Sequence, residues 1–114
     1  MVTTRASPRT VMRTLAQQLV ILSREDLPGG GLAPIGTHAD VIATLRNFNT
    51  APQSDGEELL FGPGIRIEMP PGDPVCQMLL TVVEEEIAWQ VIMRIGKAMK
   101  WKLLDPSTGR ELSP

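Results

Sequence analysis

Read for its apolar and polar positions, the chain divides into short segments, each with one dominant period. Leu19-Val20-Ile21-Leu22 is a continuous apolar run before Ser23 and a Pro/Gly stretch, the pattern of a buried strand. A rival signal overlaps it, because Ser7-Pro8 is suited to open a helix with apolar positions Val11, Met12, Leu15 and Leu19. From Thr37 to about Asn49, Val41, Ile42, Leu45 and Phe48 fall on one helical stripe, closed by Pro52 and the polar "PQSDGEE". "GIRIEM" alternates Ile65, Ile67 and Met69 against Arg66 and Glu68, as a half-buried strand does. After the turn "PPGDP", "VCQMLLTVV" places Cys76, Met78, Leu80 and Val82 on one face and Val75, Gln77, Leu79, Thr81 and Val83 on the other. These two strands are expected to form an antiparallel hairpin.

"EEEIAWQVIMRIGKAMK" carries the clearest helical signal. Glu84, Glu85 and Glu86 stand at its start and Arg94, Lys97 and Lys100 in its later turns, as a helix dipole favours. "WKLLD" reads as a last strand, "DPSTG" as a turn and "RELS" as a short return strand. The order strand, helix, strand, strand, helix, strand predicts an α+β fold. With right-handed crossovers it is the ferredoxin-like split βαβ sandwich, two helices on one face of a four-stranded antiparallel sheet. Residues 1–10 are expected to be a flexible N-terminal tail and residues 11–114 a single α+β domain. Such a fold hosts many unrelated activities, so it assigns none.

Charge narrows the partners. The net charge of −2 offers no basic field to nucleic acid or acidic lipid. Its distribution is uneven: residues 1–24 hold four arginines and no acid, while residues 25–86 hold eleven acids against Arg46 and Arg66. Cys76 is the single cysteine and cannot form an internal disulfide, which favours a reducing, cytoplasmic setting. No apolar run approaches the roughly 20 residues of a membrane span. The basic start has no signal-peptide apolar core beside it, so neither membrane nor export is expected.

The candidate chemistry begins with "LPGGGLAPIGTH". A phosphate loop needs Lys and Ser/Thr after its last glycine, but Thr37 and His38 stand there, and Pro34 removes a backbone donor. The same residues make a good helix entry, with Thr37 as N-cap and Asp40 three residues on. His38 is the only histidine, and without a second His or Cys near it no metal is expected. Cys76 reads first as a small core residue. In the split βαβ arrangement, however, His38, Cys76, the glycine loop and "PPGDP" share one sheet edge, where a Cys–His pair would be a nucleophile and base. Glu84, Glu85 and Glu86 point in different directions on a helix and read as dipole complement. The aromatic stacking that sheet-based RNA binders use is missing, since the chain has no Tyr and neither Phe48 nor Phe61 lies on the central strand.

A partner surface is the sharper expectation. On the second helix, Ile87, Ala88, Val91, Ile92, Ile95, Ala98 and Met99 make a core arc, which turns Trp89 and Met93 outward beside Gly96. The outer side of the sheet offers a second apolar surface around Leu79, with Val75 and Val83. The sequence therefore predicts a small non-catalytic interaction module without a cofactor, self-associating as a homodimer. The alternative is a minor enzyme or small-ligand sensor at the edge holding His38 and Cys76.

Overall fold

Strand β1, Gln18–Leu22, lies near the middle of the sheet and sets its sidedness. Leu19 and Ile21 are fully buried, and Gln18, Val20 and Leu22 point to the other face, the period of two that a strand imposes. The computed structural model describes residues 17–25, 27–54 and 58–112. The expected tail and the rival helix through Val11, Met12 and Leu15 lie outside them.

The remaining elements are α1 (His38–Arg46), β2 (Ala51–Pro52), β3 (Leu59–Gly62), β4 (Ile65–Glu68), β5 (Gln77–Val82), α2 (Glu85–Met99), β6 (Lys102–Asp105) and β7 (Arg110–Leu112). All seven strands join one antiparallel sheet in the order β2-β3-β4-β5-β1-β6-β7. Among the described residues, seven strands against two helices overturn the four-stranded ferredoxin-like sandwich that the sequence predicts. The difference arises at the ends of the sheet. The segment after α1, to which the sequence pattern assigned no strand, supplies β2 and β3. Pro63-Gly64 then joins β3 to β4 as a two-residue turn, with Gly64 at φ +73°. Proline fixing the first φ and glycine taking a positive second φ is the combination of a type II turn. At the other end, residues 106–109 turn the chain into β7. Asp105 accepts hydrogen bonds from the Ser107 amide (2.9 Å) and hydroxyl (2.7 Å), which hold its carboxyl below the usual range.

The inward face of the sheet packs as rows across the strands. Leu60, Ile67, Leu80 and Leu19 align through the β3–β4, β4–β5 and β1–β5 pairings, and all four are buried. Met78, Ile21 and Leu103 form the next row. Val41 and Leu45 of α1, with Ala88, Val91, Ile92 and Ile95 of α2, close over this face in one cluster. Helix α1 is shorter than expected, ending at Arg46, after which Asn49 adopts a left-handed conformation (φ 58°) and sends the chain into β2.

Helix α2 is rotated from the expected arc. Gly96 is buried, while Ile87 is 43% exposed and Ala98 is exposed. Trp89 and Met93 are half-buried and pack against the core, where the sequence reading turned them outward. Burying the larger indole removes more apolar area from water than burying Ile87 would, and Gly96 has no side chain to hold that flank off the sheet.

Candidate functional site

Two places on the molecule gather the residues that the sequence singled out. The first is the corner where α1 begins. Ile35 donates its amide to the Val75 carbonyl (2.6 Å), and Val75 donates to Gly36 (2.8 Å), which ties the glycine-rich segment to the loop before β5. This bridge buries Val75, which strand alternation alone had placed on the outer face. Thr37 caps α1 as expected, its hydroxyl accepting from the Asp40 amide at 3.1 Å. A second carboxylate does similar work, since Asp73 accepts from the His38 amide at 3.0 Å. Two of the helix-start amides that a phosphate would use, those of His38 and Asp40, are thus already occupied. The loop is a helix entry.

His38 and Cys76 reach this corner but do not face each other in a hydrogen bond. The His38 ring donates from Nε2 to the Pro70 carbonyl at 3.3 Å, and the Cys76 thiol points to the Pro74 carbonyl at 3.9 Å. Each is thereby turned toward backbone, whereas a nucleophile and its base must share a hydrogen bond. Cys76 is half-buried and precedes β5 rather than lying within it. Modification of Cys76 by a charged thiol reagent is expected to proceed at the same rate in wild type and in His38→Ala. A clear drop in rate on removing the imidazole would restore the catalytic pair. No group of three or more His, Cys, Asp or Glu suited to a metal ion occurs among the described residues.

The second place is the face of the sheet that neither helix covers. Leu59, Glu68, Leu79, Val20, Leu104 and Glu111 form one row across six strands. Phe61, Arg66, Thr81 and Gln18 run alongside on one side, and Gln77, Leu22 and Lys102 on the other. The centre is apolar and the charges stand around it. Leu79, Val20 and Leu104 are only half-buried, and Phe61 is 37% exposed. A groove of about 420 Å³ opens where Val20 and Leu79 meet Glu68, Pro70 and Gln77. In the row alongside, the Arg66 Nε is buried without a hydrogen-bond partner, the one such side-chain atom among the described residues. Leaving a donor unsatisfied costs about 1–3 kcal/mol.

Leu79 is the expected interface residue that falls on this face. Trp89 and Met93 belong to α2, across the sheet. Leu104, Leu59 and Leu22 were not singled out by sequence, because only strand pairing places them in line with Leu79. Val83, at 59% exposure, lies beyond the end of β5 rather than on the strand. No helix among the described residues is long and apolar enough to cross a membrane. Comparison with known proteins finds no matching family, no matching characterised protein and no matching solved structure, so the two places are judged by their chemistry alone.

Proposed function

We propose that the chain is a non-catalytic interaction module that self-associates through the open face of its sheet, working in the cytoplasm. The observation that carries this reading is the row of Leu79, Val20 and Leu104 on a face that no helix among the described residues covers, ringed by Arg66, Glu68, Lys102 and Glu111. An apolar centre with a polar rim is the anatomy of a protein interface. A sheet with one helical layer also leaves its second face to be covered by something, and symmetric pairs are the commonest solution. The lone Cys76 supports a reducing compartment. The corner at His38 and Cys76 supports no second reading, because both groups are spent on backbone carbonyls.

Light scattering behind size exclusion tests the proposal. Wild type at tens of micromolar is expected to have twice the mass of one chain. Leu79→Lys, on the open face, is expected to be monomeric with unchanged circular dichroism. Trp89→Ala is expected to melt earlier yet stay paired, since Trp89 packs against the core. A wild-type mass of one chain sinks the proposal.

A further inference from the structure

The geometry points to a specific pairing on this face: a second copy stacked sheet on sheet about a two-fold axis along the strands between β1 and β5, with Lys102 of each copy beside Glu68 of the other. This rests on the self-association reading above and names its contacts. Edge-to-edge pairing is the competing route, and the edges oppose it. Strand β2 has two residues, one of them Pro52, and β7 has three, with the charges of Arg110 and Glu111. The open face is left, and stacked antiparallel sheets keep their strands within about 30° of each other. A two-fold axis along the strands meets that requirement and keeps each row over its own counterpart.

Strand register then determines what meets what. The axis sets β5 over β1 and β4 over β6. Leu79 lands on Val20 of the second copy, twice over, closing the apolar centre. Glu68 lands on Leu104, because Glu68, Leu79, Val20 and Leu104 share one row. Lys102 lies two residues from Leu104 on the same face, which sets it at the Pro70 end of the groove. With sheets about 10 Å apart and a rise of about 3.3 Å per residue, the Cα atoms of Glu68 and Lys102 stand about 12 Å apart across the interface. Two extended side chains span that distance. Neither residue has an ion-pair partner within its own chain among the described residues, where the only salt bridge joins Arg24 and Glu111. The face carries both signs in balance, Arg66 and Lys102 against Glu68 and Glu111, so a second copy meets no net repulsion.

Charge exchange tests the pairing by sedimentation or light scattering across a concentration series. Glu68→Lys and Lys102→Glu alone are each expected to weaken the dimer about tenfold, since two attractions become two repulsions. The double variant Glu68→Lys/Lys102→Glu is expected to return to within about threefold of wild type. Mixing the two single variants is expected to give a heterodimer, because each contact then regains one cation and one anion. All three variants carry changes only at exposed or half-buried positions, and circular dichroism checks that they fold. A dimeric wild type whose double variant is no tighter than the singles, and whose singles do not pair with each other, overturns this stacking while leaving self-association standing. A monomeric wild type overturns both.

Discussion

Leu80→Ala is expected to lower stability by about 3–5 kcal/mol, near the upper end for a truncated core leucine. Leu80 is 1% exposed on β5, with Leu19 opposite it on one side and Ile67 on the other, both fully buried. The two neighbours are held in their own strand ladders, so the wall around a missing isobutyl group cannot collapse far. The lost burial is then joined by a cavity whose lining has no partner atoms. A domain of this size has about 5–15 kcal/mol in total, so the variant should sit close to unfolding at ordinary temperature. Urea titration checks it through a large fall in midpoint with little change in slope. Leu79→Ala is the internal control. It lies one residue away, half-buried on the open face, and should cost less than about half as much when measured below the dimer's dissociation constant. Equal losses from the two leucines would mean that the sheet does not have the sidedness described.

That sidedness was legible in the sequence wherever a strand was long enough to show its period. Ile65 and Ile67 against Arg66 and Glu68 gave β4, and Met78, Leu80 and Val82 gave the buried side of β5, all as the structure places them. The antiparallel hairpin between β4 and β5 forms as expected, and so do the strand over Lys102–Asp105 and the return strand β7. The N-cap at Thr37 was readable too, because capping is a local exchange between a hydroxyl and an amide three residues away.

What escaped reading depends on pairing across distance. Strand β2 is two residues long and contains a proline, so no propensity announces it. It exists because Ala51 and Pro52 meet Phe61 and Leu60. In "LLFG" three apolar residues stand in a row, with no alternation to separate a strand from a loop that crosses the core. The Pro63-Gly64 turn was the available sign. The orientation of α2 was misread for a related reason. A helical wheel gives relative angles among its residues, but contact with the sheet decides where the arc is centred. Trp89 lies about 90° from the centre of the buried arc, at its flank, where packing against the core claims it. The candidate interface was half legible. Leu79 could be placed on an outer face from its strand alone, whereas Glu68, Val20 and Leu104 join its row only through two or three strand registers.

Gly64→Ala is expected to destabilise the protein by about 3 kcal/mol, and it tests the element that sequence reading missed. Two costs fall on one methyl group. Gly64 sits at φ +73°, where an L side chain is strained by about 1–3 kcal/mol. An added Cβ would also stand 2.8 Å from the Glu84 carbonyl oxygen and 2.9 Å from the Ala88 amide nitrogen. Those atoms are backbone, in the first turn of α2, and cannot rotate aside. The same turn hangs on Gly64 by hydrogen bonds, because its carbonyl accepts the amides of Val83 (2.8 Å) and Glu84 (3.0 Å). Relieving the overlap therefore means pulling the β3–β4 hairpin away from the start of α2. Gly72→Ala separates the two costs. Gly72 has φ +107° with nothing within 4 Å of an added Cβ, so it carries the backbone strain alone. In thermal melts, where 1 kcal/mol moves the midpoint by about 4 °C at this size, Gly64→Ala should fall by about 12 °C and clearly further than Gly72→Ala. Matching midpoints for the two variants would show that the hairpin turn does not seat against α2.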